Sequence, residues 1–213
     1  MPRIGRPAMF ALVAAVFAAA SGFGPDSRRQ ATQHPSSTPV RVMLAVVPDE
    51  ARLPASTALR ILDARGGVIA TVRSGEAWRL QREGRRLRAD RVGGAQTVWT
   101  DGPLSLEPAD SGGVVPWGQR SYRGTLVFLP TDTAILVINR LDVEDYLRGV
   151  VPLEVGARSP DEHAAVEAQA VAARSFTYTK MLAAGTRPWD LLASERDQVY
   201  GGVEAETFLG DLA

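Results

Sequence analysis

One carboxylate in this chain sits where its chemistry could be unusual. Glu154 lies in Gly149-Val150-Val151-Pro152-Leu153-Glu154-Val155-Gly156, a stretch with five apolar side chains, fixed by proline and bounded by glycines. A glutamate has a reference pKa near 4.3, so at pH 7 only about one exposed copy in 500 carries a proton. Burial among aliphatic groups that lifted it to about 6 or 7 would require roughly 2 to 4 kcal/mol and would make a general acid. The residues alone leave a second reading open: a solvated loop carboxylate, or one paired with Arg148 or Arg158.

Other chemistries are excluded or poorly supplied. With no cysteine there is no disulfide framework, thiolate nucleophile or cysteine-based metal centre. Ser175 and Thr177 have no adjacent histidine and no nucleophile-elbow glycines, which argues against a hydroxyl nucleophile. His163 and Glu167 are four apart on one expected helix, but one histidine and one acid rarely hold a metal, so no metal and no cofactor is expected. No phosphate-cradling or dinucleotide glycine motif occurs. Charges balance at 24 against 24, which gives no overall attraction to nucleic acid.

The elements that must position Glu154 are legible on either side of it. Asp142 is an N-cap for a helix over Val143 to Val150, with Asp145 three residues on and Tyr146, Leu147 and Val150 as its apolar stripe. Gly149 and Pro152 stop it. A second helix has Ser159 at the cap, Pro160 first inside, Glu162 third, and Gly185 closing it. Six alanines between Ala164 and Ala173 allow close approach on several sides and predict a central, largely buried helix. Thr125 to Leu129 and Ala134 to Asn139 flank the turn Pro130-Thr131-Asp132-Thr133 as a hairpin leading into these helices.

Upstream the pattern is short β runs between turn signals: Val40 to Val47, Thr57 to Leu62, Val68 to Val72, Ala77 to Gln81, Arg86 to Val92, Thr97 to Trp99 and Val114 to Trp117. Arg79, Arg82, Arg85, Arg86, Arg88 and Arg91 surround one turn, alternating with Trp78, Leu80 and Leu87 as on a strand with one buried face. A solvated face is the first reading of that cluster, and a surface for anionic wall or membrane polymers the second. The fold class is α+β: a β-rich N-terminal region over 40–120, then a region over 121–213 holding the hairpin and two helices.

At the N-terminus, Arg3 and Arg6 precede the apolar run Ala8 to Ala20, with Ala18-Ala19-Ala20 as a cleavage site. The run is short of the roughly 20 residues that span a bilayer and has the layout of a secretory signal. Residues 1–20 are therefore expected to be a signal peptide and 21–39, rich in Ser, Thr, Gly, Pro and Gln, a flexible tether. Export to the periplasm, cell wall or extracellular space follows. The membrane enters only through the signal segment if it stays uncleaved.

Four ordered blocks give the site a context. Tyr122-Arg123-Gly124, then Val137 to Glu154 (VINRLDVEDYLRGVVPLE), then Glu167 to Phe176 (EAQAVAARSF) and finally Asp197-Gln198-Val199-Tyr200-Gly201-Gly202 resemble the SpoIID/LytB family, over residues 122–202. That family includes stage II sporulation protein D and LytB-type amidase enhancers. Its best-understood members are lytic transglycosylases of peptidoglycan, in which the Glu of a Pro-x-Glu-Met motif is the catalytic acid. Pro152-Leu153-Glu154-Val155 occupies that motif, with Val155 in place of the usual Met. The resemblance implies cleavage of peptidoglycan glycan strands with Glu154 as acid and base. Its alternative is a non-catalytic enhancer of an N-acetylmuramoyl-L-alanine amidase.

It also implies supporting roles. Gln169 and Arg174 lie in the best-matched helix, where a sugar cleft could use their hydrogen bonds, although Arg174 could equally pair with a helix carboxylate. Gln198 and Tyr200 belong to the closing motif, where a ring could stack on a sugar or pack in the core. Family members continue past the Tyr-x-Gly block, whereas this chain ends at Ala213, so the C-terminal part of the family fold is expected to be missing.

Overall fold

Alternation of buried and open residues builds most of the molecule. The computed structural model describes residues 38–53 and 56–213, so the expected signal peptide and nearly all of the tether lie outside the described residues. In β1 (Val40–Val47), Val40 and Val42 face inward; so do Leu59 and Ile61 in β3 (Leu59–Leu62) and Leu104 and Leu106 in β8 (Leu104–Pro108). Leu126 and Phe128 do the same in β11 (Thr125–Pro130), and Ile135 and Val137 in β12 (Ile135–Leu141). This period of two places one face of a sheet on the core.

With β4 (Val68–Val72) and β13 (Leu191–Leu192), these strands form a seven-stranded sheet of order β13-β1-β12-β11-β8-β3-β4. All its pairings are antiparallel except β13 on β1. A four-stranded sheet holds β2 (Glu50–Leu53), β5 (Trp78–Glu83), β6 (Arg86–Arg91) and β7 (Thr100–Asp101). A small ribbon pairs β9 (Val115–Trp117) with β10 (Arg120–Tyr122). The α+β class is as the sequence implies.

The division at residue 120 does not separate two cores. Strands β1, β3, β4 and β8 come from before it and β11, β12 and β13 from after it, in one sheet. The physical reason is that β12 is a central strand needing partners on both edges, and β1 pairs with it from Val40↔Leu141 to Val47↔Ile135.

Four helices follow the hairpin: α1 (Val143–Arg148), α2 (Val151–Val155), α3 (His163–Ala183) and α4 (Phe208–Leu212). The caps read from sequence are in place. Asp142 accepts from the Glu144 N–H at 2.8 Å, and Ser159 and Glu162 form a reciprocal capping box on the 3₁₀ turn leading into α3. The 149–156 stretch, expected as a loop, contains α2, because Pro152 is tolerated in a first helical turn and Gly156 ends it. Helix α3 is long and Ala-rich, yet it buries one stripe, Val166, Ala170, Ala173 and Thr177, rather than most of its surface. Its other alanines are open because only one side of the helix meets α1, α2 and the sheet.

The arginine cluster is an ion-paired face on which Arg85 and Arg86 are exposed and the other four are partly covered. Arg79 lies 3.2 Å from Glu50, Arg88 2.8 Å from Asp90, Arg91 3.2 Å from Glu76, and Arg82 pairs with Asp49. Arg85 and Arg86 reach Asp132 and Asp101 at 3.7 and 3.9 Å. With a carboxylate beside each cation, little positive field is left to attract an anionic polymer.

The short strand β13 is held by a charged clamp. Asp190, 3% exposed, accepts from the Arg41 backbone N–H at 2.8 Å and from the Arg41 guanidinium at 3.2 and 2.6 Å. Asp190→Ala should lower stability by about 2 to 3 kcal/mol, since it strands a partly buried cation. The same substitution at Asp101, whose partner Arg86 is 3.9 Å away and exposed, should cost only about 0 to 1 kcal/mol. Denaturant unfolding of both variants measures the contrast.

Candidate active site

Glu154 owes its place to a close crossing of two chain segments. Helix α1 ends at Gly149, whose N–H bonds the Tyr146 carbonyl at 3.1 Å and whose carbonyl accepts from Gly201 at 3.0 Å. A Cβ at Gly149 would stand 2.6 Å from Cε2 of Tyr200 and 2.9 Å from the Gly202 carbonyl, so only glycine permits the approach. Gly202 has φ +66 and would drive a Cβ into the Ser121 carbonyl. Beyond the crossing, α2 buries Val151 and turns Glu154 outward.

The Glu154 side chain is exposed, which overturns the desolvation expected from its apolar neighbours. Val151 turns into the core, while Leu153 and Val155 line a groove of about 530 Å³ on the surface of α2. They are neighbours in sequence but do not enclose the carboxylate. Its Oε1 accepts the Val199 N–H at 2.9 Å, and Val199 also lines a shallow open depression with Ser194, Glu195 and Arg196. Arg148 and Arg158 pair elsewhere, with Asp211 at 2.8 Å and Glu162 at 3.2 Å.

The segment behind Val199 is locked residue by residue. The Lys180 ammonium lies 2.6 Å from Asp197, whose other oxygen accepts the Leu192 N–H at 2.8 Å. Gln198 Oε1 accepts from the Tyr146 hydroxyl at 3.2 Å and the Thr177 hydroxyl at 3.0 Å. Tyr200 donates to Asn139 Oδ1 at 3.0 Å, and Asn139 Nδ2 donates to the carbonyls of Arg123 and Thr125. The Tyr200 ring lies 4.9 Å from Tyr146 and 5.7 Å from Tyr122. Burial pushes both the Tyr146 and Tyr200 hydroxyls well above the usual phenol range.

The expected sugar contacts at Gln198 and Tyr200 are therefore corrected: both are buried, at 6% and 2% exposure, with their polar atoms turned to core partners. The i, i+2 spacing of Gln198 and Tyr200 around Val199 was the available signal of an inward face. Arg174 takes the structural role. It grips Glu144 through two bonds, at 2.8 and 2.6 Å, tying α3 to α1, and that carboxylate raises its pKa. Gln169 is half-buried on α3, one turn past the groove-lining Val166. His163 and Glu167 stand 3.6 Å apart, and among the described residues no three His, Asp or Glu side chains cluster as metal ligands.

Sequence reasoning passed over Phe208, Arg158 and Glu204, which line the groove beside α2. Phe208 opens a helix behind the N-cap Thr207, whose hydroxyl accepts the Gly210 N–H at 3.1 Å. That cap is readable in sequence, but the residues opposite Phe208 are not.

Residues 131–211 match the family model described as SpoIID, stage II sporulation protein, and this segment of the chain belongs to that family. An uncharacterized protein of Brachyspira hyodysenteriae is 40% identical over 84 residues, covering 39% of this chain and 22% of that protein. The match thus spans about a fifth of the length of that relative. No solved structure matches.

Two outcomes test this geometry. For Asp197, burial raises the pKa, but the Lys180 ammonium and the Leu192 N–H outweigh it and hold the carboxyl below its usual range. A depressed native pKa gives stability that is complete above the unfolded value near 3.9 and is lost as pH falls through the native one. Thermal melting should accordingly decline from about pH 4 downward, and Asp197→Asn should flatten that decline while lowering stability at neutral pH. Tyr200→Phe should lower stability by about 1 to 2 kcal/mol through the orphaned Asn139, as measured by denaturant unfolding.

Proposed function

We propose that this protein is an exported enzyme that cleaves peptidoglycan glycan strands by lytic transglycosylation, with Glu154 as its general acid and base. The observation that carries the reading is the Val199 N–H bond to Glu154 at 2.9 Å, on a helix that also walls the groove. It fixes one carboxylate in the motif position where the family carries its acid, with both chain neighbours, Leu153 and Val155, lining the groove. The N-terminal signal layout supports export, with residues 1–20 as leader and 21–39 as tether.

One carboxylate suffices for this reaction. Ordinary glycosidases need a second acid to supply a nucleophile or activate water. Here the protonated Glu154 gives its proton to the leaving glycosidic oxygen as the C1–O bond breaks. The 6-hydroxyl of the same sugar forms the new bond to C1, and the Glu154 carboxylate takes up the hydroxyl proton. No water is consumed, the product end is a 1,6-anhydro sugar, and the enzyme returns to its starting protonation state. Because Glu154 is exposed in the free protein, the glycan itself must cover α2 and remove water from the carboxylate before proton transfer.

The exposure of Glu154 also favours a second reading, a non-catalytic peptidoglycan-binding enhancer of a cell-wall amidase, because such a role needs no desolvated acid. Digestion of purified glycan strands followed by mass spectrometry separates the two. The enzyme should yield anhydro-muramic ends, reduced at least about 100-fold by Glu154→Gln. No anhydro ends from the intact protein, but faster digestion when an amidase is added, would establish the enhancer instead.

A further inference from the structure

The groove on the flank of α2 is lined by both chain neighbours of Glu154, though not by Glu154 itself, and combines apolar and charged walls. One wall is α2, through Leu153 and Val155; Val166 of α3 and Arg158 continue it, and Glu204 and Phe208 stand on the C-terminal segment. Phe208 is 75% exposed and Leu153 44%, so an aromatic ring and an aliphatic side chain border one concavity with much of their surface open. The volume, about 530 Å³, falls within the range of small-molecule sites.

The chemistry of the walls selects the occupant. A pyranose ring has an apolar C–H face and a rim of hydroxyl and acetamido groups. The groove matches this with an open aromatic face, aliphatic walls, and a guanidinium and a carboxylate at its polar positions. Arg158 uses one nitrogen on Glu162 at 3.2 Å and keeps further N–H donors. Glu204 accepts the Ser121 N–H at 2.9 Å, and its carboxylate is held further by the Ser121 side chain. A phosphorylated ligand would meet the Glu204 charge, and a purely aliphatic one would strand both ionic groups.

We propose that this groove binds an N-acetylhexosamine ring of a glycan strand, stacked on Phe208 with Arg158 bonding its polar rim, on the flank of the helix that carries Glu154. The proposal rests on the glycan reading above and adds to it the surface that holds the strand. Phe208 takes the stacking role that the closing motif suggested for Tyr200. Stacking on an aromatic ring is non-directional around the sugar rim, so the subsite fixes the plane of the ring and Arg158 its orientation.

The test is binding, read without turnover. Full-length Glu154→Gln protein is titrated with a peptide-free N-acetylglucosamine–N-acetylmuramic acid tetrasaccharide, by calorimetry and by amide NMR shifts, alongside the same protein carrying Phe208→Ala or Phe208→Trp. Removal of the ring should weaken binding about 5- to 10-fold. Phe208→Trp should restore it, and the amide shifts should centre on residues 156–158 and 204–209. Equal affinity with and without the ring, shifts confined elsewhere, or binding of free stem peptide in place of the saccharide each overturn the proposal. Because Phe208 is mostly open, melting of the Phe208→Ala protein should match its parent, and an altered melt would refute its placement as a free lip. Anhydro ends made by the wild-type protein, together with unaltered Phe208→Ala affinity, would refute the groove and leave the catalytic reading standing. A saccharide that binds neither protein, with no anhydro ends formed, would remove both.

Discussion

Val199 can present its N–H to Glu154 only because its neighbours are fixed in the core. Gln198 is the shared acceptor for two buried hydroxyls, Tyr146 from α1 and Thr177 from α3. Tyr200 is pinned through Asn139 to the middle of β12. Leaving a buried donor without its acceptor costs about 1 to 3 kcal/mol, so any movement of this segment is opposed at several points at once. The carboxylate on α2 is positioned by main chain, and the main chain is positioned by side chains that never reach solvent. The motif around Gln198 and Tyr200 thus acts on the site from behind it.

The same dependence extends to the sheet. Residues 131–211, the segment that matches the family, contain β12 but neither of the strands that flank it. On one edge β12 pairs with β11, and on the other with β1, which in turn carries β13 through the Arg41–Asp190 clamp. Without β1, seven residues of β12 would face solvent as an unpaired edge, and Asn139 would lose its fixed position under Tyr200. The β-rich N-terminal stretch is therefore structural support for the site, built into the same core. A boundary drawn from the change of sequence pattern near residue 120 misses this, because strand partnership across 80 or more residues leaves no local mark.

What the sequence made legible was local. Alternation identified β1, β4, β6 and the β11–β12 hairpin within a residue or two, and caps at Asp142 and Ser159 set the starts of α1 and the turn into α3. Strands β2, β10 and β13 escaped because two to four residues are too few for a period to show, and β8 because its polar Ser105 and Glu107 stand between turn-rich stretches. The site was half legible. The motif singled out Glu154, but apolar neighbours in sequence were taken as neighbours in space. In a one-turn helix, successive side chains point about 100° apart, so Val151 could enter the core while Glu154 left it.

That geometry bears on how a single exposed acid can serve this chemistry. A carboxylate buried in the free protein would keep its proton because desolvation penalises the ionised form, but the closed pocket around it would exclude a polymer threading past. An open helix with a groove on its flank accepts a strand anywhere along its length. On the proposed reading, bound sugar rings would supply the water-free surroundings, so that the acid is desolvated only when there is a bond to break. The requirement passes from the neighbours of Glu154 to its anchor: the Val199 N–H must hold the carboxylate in the same place before and after the strand arrives, which is what a locked core segment is suited to do.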